Sequence, residues 1–196
     1  MTSRETPDFG AFLAVLARAL GEAGLPFMLI GGQAVLLHGR PRLTEDIDIT
    51  LGVDPGRLAT VLEICRGLDL HPLPDDVESF VRRTFVLPVG DRETGMRVDF
   101  VFSTIPYERQ AIERSVRVEV NGVDIPFAAA EDLIIHKIFA GRPRDREDAL
   151  GVVRRQGNDL DWSYIEKWIR EFAAVPGREA ILDELEHLRD QAEGET

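Results

Sequence analysis

The chain of 196 residues contains one cysteine, two lysines, two tryptophans and two tyrosines. A single thiol, Cys65, cannot close an intramolecular disulfide, so the fold must be held by its core. Beside Ile64 in an apolar stretch, Cys65 reads as a small buried residue and not as a nucleophile. No apolar run reaches the roughly 18 residues that a membrane-spanning helix needs. The polar opening Met1–Asp8 lacks the apolar segment of a secretion signal. A soluble, cytoplasmic protein with no membrane partner is therefore expected. The motifs His-Glu-x-x-His, Gly-x-Ser-x-Gly and Gly-x-x-x-x-Gly-Lys are absent, which removes the commonest zinc-protease, serine-hydrolase and P-loop readings. His38, His71, His136 and His187 show no metal-ligand spacing. Positive charge is scarce as well: 23 basic against 35 acidic residues leave a net charge of −12, which disfavours non-specific binding to nucleic acid. A phosphate ligand would need a local basic patch.

What is present is enough for a real core. Apolar residues make up 44% of the chain, and a chain of this length buries roughly 70% of its unfolded surface. Phe9, Phe12, Leu13, Leu16 and Leu20 fall at helical spacing. Pro26–Ile30 reads as a buried strand entering the Gly31-Gly32 turn, with a short helix from Gln33 to His38. Thr44–Leu51 alternates as a strand, followed by a helix from Leu58 to about Gly67 and a polar loop from His71 to Ser79. Thr84–Val89 and Met96–Phe102 read as a hairpin around Gly90-Asp91, and Val116–Val120 and Val123–Phe127 as another turning at Asn121-Gly122. From Ala128 the texture is helical. The expectation is an α/β (α+β) fold: residues 1–127 form a mixed twisted sheet flanked by helices, and residues 128–196 form a helical segment packed on it.

The alternation of Thr44–Leu51 turns Asp46, Asp48 and Thr50 to one face and Ile47, Ile49 and Leu51 to the other. Carboxylates at i and i+2 on a strand sit about 7 Å apart at the backbone and can converge on cations about 3.5 to 4 Å apart. Asp99 repeats the logic, standing opposite Val98, Phe100 and Phe102. Three such carboxylates repel one another unless a cation neutralises them, and oxygen-only ligation favours Mg²⁺ or Mn²⁺. Gly31 and Gly32, free of Cβ at a strand-to-helix turn, can approach a phosphate with backbone amides.

The run from Leu29 to Ile49, a Gly-Gly turn followed by Asp46-x-Asp48, resembles the signature of the DNA polymerase β-like nucleotidyltransferase superfamily, and Asp99 completes its carboxylate set in number and order. The segment Glu131–Asp148, with Lys137 and Arg144-Asp145-x-x-Asp148, resembles the minimal, AbiEii-like nucleotidyltransferases of toxin–antitoxin pairs. The resemblance implies that Asp46, Asp48 and Asp99 bind Mg²⁺ or Mn²⁺, with Asp99 also serving as base toward an acceptor hydroxyl. It implies that Gly31 and Gly32 hold the triphosphate of an NTP donor. Arg42, Thr44, Lys137 and Arg144 complete the expected nucleotide-binding set, and Lys137 also joins the catalytic one. An NMP would pass to an acceptor hydroxyl on a tRNA, a protein or a small molecule, and a cognate antitoxin would be a partner.

Other readings stand beside these. Lys137 reads equally as a solvated lysine on a helix whose apolar side is Leu133, Ile134 and Phe139. Arg144, Asp145 and Asp148 suit a charged helix face with internal ion pairs. Gly32 stands where many relatives carry serine, so a hydroxyl contact to phosphate is missing. Arg40, Arg42, Arg82, Arg83 and Arg97 can line one rim of the site. The alternatives to a toxin-type enzyme are a catalytically degenerate binding module and an antibiotic-type, small-molecule nucleotidyltransferase.

Overall fold

Stretches rich in Val, Ile and Phe alternate with amphipathic helices along the first two thirds of the chain, and the strands join in a single sheet. The computed structural model describes residues 9–41, 44, 46–92, 95–103 and 105–193. The strands are β1 (Phe27–Ile30), β2 (Asp46–Leu51), β3 (Leu70–Pro72), β4 (Val86–Asp91), β5 (Arg97–Phe102), β6 (Val116–Val120) and β7 (Val123–Phe127). They are hydrogen-bonded in the order β3-β4-β5-β2-β1-β7-β6. The sheet is mixed: β1 runs parallel to β7 and β2 parallel to β5, while β3–β4, β4–β5 and β6–β7 are antiparallel.

The contacts divide the chain into two units, residues 1–29 with 45–127 and residues 30–44 with 128–196. The first holds the sheet, α1 (Phe9–Glu22), α3 (Leu58–Gly67), α4 (Val77–Thr84) and α5 (Pro106–Arg114). Its core is drawn from the apolar positions of alternating strands: Ile47, Ile49, Leu51, Val98 and Phe100 are all closed to solvent. At roughly 1.5–3 kcal/mol for each large side chain buried, this row anchors β2 against β5. Leu13, Leu16, Ala17 and Leu20 form the buried stripe of α1, which packs on β6 and β7. The β6–β7 turn has Asn121 at φ +49° and Gly122 at φ +75°, the paired left-handed conformation of a tight hairpin.

Two elements depart from the sequence expectation. The expected polar loop from His71 to Ser79 instead contains β3, which pairs with β4, and the start of α4. The Asp76 side chain caps α4 by accepting from the Ser79 N–H at 3.1 Å, and Val81 supplies its buried anchor. The second is α5, which opens on Pro106 and buries Tyr107 and Ala111, one turn apart.

The second unit comprises α2 (Gly31–His38), α6 (Ala130–Ala140), α7 (Pro143–Gln156), α8 (Trp162–Ala173) and α9 (Ile181–Glu193). Long-range polar contacts tie α2 to the helices that follow. The His38 Nε2 lies 2.8 Å from the Ala128 carbonyl, Arg155 donates to the Gly39 carbonyl at 2.8 Å, and the Gln156 amide donates to the His38 carbonyl at 3.2 Å. The buried Asp132 accepts from the Tyr164 hydroxyl at 2.7 Å, joining α6 to α8.

Candidate active site

The first unit gathers the three carboxylates expected from sequence. In the β2–β5 register Asp48 lies directly beside Asp99, and Asp46 beside Arg97. Ile47, Ile49, Val98 and Phe100 point into the core, so Asp46, Asp48, Arg97 and Asp99 share the opposite face of the two strands. Asp46 is exposed at the start of β2, Asp48 is half-buried, and the Asp99 side chain retains 20% exposure. The fourth member, Arg97, was expected only as one arginine of a rim. Arg97 donates from Nε to Asp99 Oδ1 at 2.9 Å and from Nη2 to Asp99 Oδ2 at 3.0 Å, a bidentate fork. The hydrogen bonds to Asp99 raise the Arg97 guanidinium above its ordinary value, with further contributions from the charges of Asp46 and Asp48. One cation therefore feels all three carboxylates.

The donor chemistry of this face fits a hard divalent cation. Among the described residues no three His, Cys, Asp or Glu side chains form a ready-made metal cage. Mg²⁺ does not require one, since it is usually held by one or two protein carboxylates together with substrate phosphates and water. Two carboxylates side by side on neighbouring strands, a third two residues away and no sulfur or imidazole among them make an oxygen-only donor set of that kind.

The second unit holds the glycine turn, Thr44, Lys137 and Arg144. Gly31 adopts φ +63°, a conformation that favours glycine, where β1 gives way to α2. Gly32 is fixed by space instead. A Cβ at position 32 would lie 2.4 Å from Thr44 Oγ1 and 2.8 Å from Thr44 Cβ. The room that a serine side chain would take at position 32 is filled by the side chain of Thr44, which brings a hydroxyl of its own beside the turn.

Lys137 is not a solvated helix residue. Its Nζ donates to Asp145 Oδ1 at 2.9 Å and to Asp148 Oδ2 at 2.8 Å, and all three side chains are at most 7% exposed. Arg142 adds a second cation to Asp145. Burial pushes the Asp145 carboxyl up, but the hydrogen bonds from Arg142 and Lys137 outweigh it and hold the group below the usual carboxylate range. The charged run of α7 thus folds inward at Asp145 and Asp148, while Arg144 stands exposed on the same helix. Arg42 lies outside the described residues. Cys65 is buried, and desolvation pushes its thiol up to about 12, which agrees with an inert core residue.

Comparison with known proteins gives the same class of fold. The antibiotic-resistance factor ANT(2'')-Ia superposes with a TM-score of 0.57 at 14% identity, covering 87% of this chain and 96% of that one. An antigenic nucleotidyltransferase-like protein from Paracoccidioides brasiliensis gives 0.53 at 17% identity, with 89% and 91% covered. The lincosamide antibiotic adenylyltransferase LnuA, bound to lincomycin, gives 0.51 at 16% identity, with 72% and 94% covered. No functionally curated protein matches the chain in sequence. These likenesses establish the nucleotidyltransferase fold. A family model described as a nucleotidyltransferase of unknown function, DUF6036, matches residues 15–186, and the chain belongs to that family.

Proposed function

We propose that the chain transfers an NMP from an NTP to an acceptor hydroxyl in a reaction dependent on Mg²⁺ or Mn²⁺. The observation that carries this reading is the register pair Asp48–Asp99 on parallel neighbouring strands, with Asp46 on the same face. Asp46, Asp48 and Asp99 are the residues that would hold the metal, which when bound neutralises phosphate charge and orients the α-phosphate. Asp99 accepts the proton of the acceptor hydroxyl. The hydroxyl oxygen bonds to the α-phosphorus, the bond from that phosphorus to the bridging oxygen breaks, and pyrophosphate leaves. The chain contributes mainly position and charge, as phosphoryl chemistry requires.

The donor side is assigned from the sequence resemblance. Gly31 and Gly32 present backbone amides to the triphosphate, and Thr44, packed against Gly32, adds a hydroxyl. Lys137, buried against Asp145 and Asp148, positions α6 on α7. Arg144, exposed on α7, and Arg42 are the remaining phosphate-contacting candidates. By analogy with fold neighbours described as bound to adenylyl-2''-tobramycin and to lincomycin, we take a small-molecule hydroxyl as the acceptor class.

The test is pyrophosphate release from each NTP with Mg²⁺ or Mn²⁺, in the presence of tobramycin, of lincomycin or of water alone, for the natural chain, Asp48→Asn and Asp99→Asn. Release that depends on the metal and falls by on the order of 10²-fold in either variant supports the proposal. Equal behaviour of natural and variant chains, with the fold intact, would instead indicate a module that binds without turnover.

A further inference from the structure

The strand order leaves one flank of Asp99 unclaimed by the other carboxylates. Asp46 and Asp48 stand on β2, on one side of β5, and β4 lies on the other. On that far side a pocket of about 450 Å³ opens between β4 and the segment that carries β3 into α4. Its volume lies within the range of small-molecule sites, about 300–1,000 Å³. Two of its lining residues tie it to Asp99. Pro88 is the β4 register partner of Asp99, and Arg97 holds both oxygens of the Asp99 carboxylate. Neighbouring strands are about 4.8 Å apart, so the pocket begins one strand away from the carboxylate.

The walls have a definite chemistry. Leu73, Pro74 and Phe80 offer an apolar surface at the mouth, and Leu73 is 54% exposed. A Cβ at Gly90 would lie 3.2 Å from Leu73 Cδ2, so the glycine lets Leu73 lie down on β4 beside the pocket. Asp75 is exposed on the rim, and Asp76 adds a second carboxylate there while capping α4. Arg83 and Arg97 line the pocket as well, so its edge is mixed in charge, and the exposed Asp75 carboxylate beside the apolar surface suits a ring carrying an amine.

We propose that this pocket is the acceptor site, and that it takes a small hydroxylated molecule whose ring rests on Phe80, Leu73 and Pro74 and whose amine faces Asp75, with its hydroxyl directed to Asp99. This inference rests on the nucleotidyl-transfer reading and adds to it the ring and amine of the acceptor and the residues that select them.

The probe is phenylalaninol, which joins a ring, an amine and a primary hydroxyl, set against ethanolamine, which lacks the ring. The full chain is incubated with each NTP, Mg²⁺ and equal concentrations of the two amino alcohols, and the NMP esters and free pyrophosphate are quantified. The expected result is a preference for the phenylalaninol ester of at least tenfold. That preference should fall several-fold in Phe80→Ala, and likewise in Leu73→Ala, a change at an exposed side chain that guards against loss of fold at position 80. Asp75→Asn should lower it against the uncharged competitor 2-phenylethanol. Equal use of phenylalaninol and ethanolamine, a ratio unmoved in both pocket variants, or pyrophosphate release with no ester of either alcohol would overturn the acceptor assignment. Transfer to tRNA with none to either alcohol would overturn it too. No pyrophosphate release with any NTP would instead remove the nucleotidyl-transfer reading, and the acceptor site with it.

Discussion

Arg97 grips both carboxylate oxygens of Asp99, at 2.9 and 3.0 Å, on the strand face that also carries Asp46 and Asp48. The guanidinium offsets like-charge repulsion among three carboxylates, and it occupies the oxygens that a divalent cation would use. Metal and Arg97 should therefore compete. The Arg97 side chain is 48% exposed, and an exposed pair of this kind is worth about 0.2–1 kcal/mol. Arg97→Gln is expected to tighten Mn²⁺ binding in the absence of nucleotide by a factor of about 1.4 to 5. Isothermal titration of the two chains checks this, and weaker binding in the variant would show that Arg97 supports the metal instead of competing with it.

The close approach of Gly32 to Thr44 yields a stability test. A methyl group at position 32 meets Thr44 Oγ1 at 2.4 Å, so Gly32→Ala overpacks the turn, at a typical cost of about 1–3 kcal/mol. Thr44→Gly removes the atoms that clash. In a double-mutant cycle the combination should recover most of the loss caused by Gly32→Ala alone, and purely additive effects would contradict the packing argument. Gly31→Ala has no such rescue, because its cost of about 1–2 kcal/mol lies in the backbone at φ +63°.

Lys137 makes a further prediction. Removing the cation from a buried cluster leaves charge uncompensated, which costs about 3–5 kcal/mol, so Lys137→Met is expected to lower the unfolding free energy by roughly that amount. Neutralising the partners in the same background, Asp145→Asn with Asp148→Asn, should restore a large part of it. Chemical denaturation of the three chains measures both. A Lys137→Met chain as stable as the natural one would contradict the inward-folded cluster.

Much of this was legible in the sequence, and the parts that were not were hidden for different physical reasons. The strands β2 and β5 announce themselves because one face is wholly apolar and the other carries carboxylates, and the Asn121-Gly122 turn does so because both residues tolerate positive φ. Helix α4 was hidden in a polar stretch. Its signal was the cap at Asp76 with Val77, Phe80 and Val81 at helical spacing, too short a pattern to stand out from a loop. The Lys137 cluster was hidden for another reason. Charges eight and eleven residues apart come together only through the packing of α6 on α7, which no local pattern encodes. Arg97 and Asp99 share a strand face by simple alternation, so their pairing could have been read from spacing alone.

Acid should weaken the fold before its carboxylates titrate. The Nε2 of His136 is shielded from solvent, and desolvation, with the nearby charge of Lys137, pushes the imidazole down to about 4 from an ordinary 6.5. His38 is lowered as well, chiefly by burial. The unfolded chain thus binds these protons more readily than the folded one. The stabilisation is complete above about pH 6.5 and is lost as pH falls toward 4, with a slope from His136 of up to about 1.4 kcal/mol per pH unit. The depressed carboxyl of Asp145 adds to the loss only at lower pH, below its ordinary 3.8. Unfolding free energies between pH 7 and 4 should decline for the natural chain and decline less steeply for His136→Gln. Parallel curves would contradict a neutral His136 in the folded state.

The central claim is the proposal that the chain binds an NTP in a metal-dependent way through its carboxylate face. Thermal unfolding with each NTP, with and without Mg²⁺, for the natural chain and Asp48→Asn tests it most directly, because it needs no acceptor. At about 100 times its dissociation constant a ligand stabilises the folded state by roughly 2.7 kcal/mol, which raises the midpoint of a chain of this size by several degrees. The account predicts a rise that requires Mg²⁺, favours particular NTPs and disappears in Asp48→Asn. A midpoint unmoved by every NTP in the presence of Mg²⁺, or moved equally in the natural chain and the variant, would contradict it.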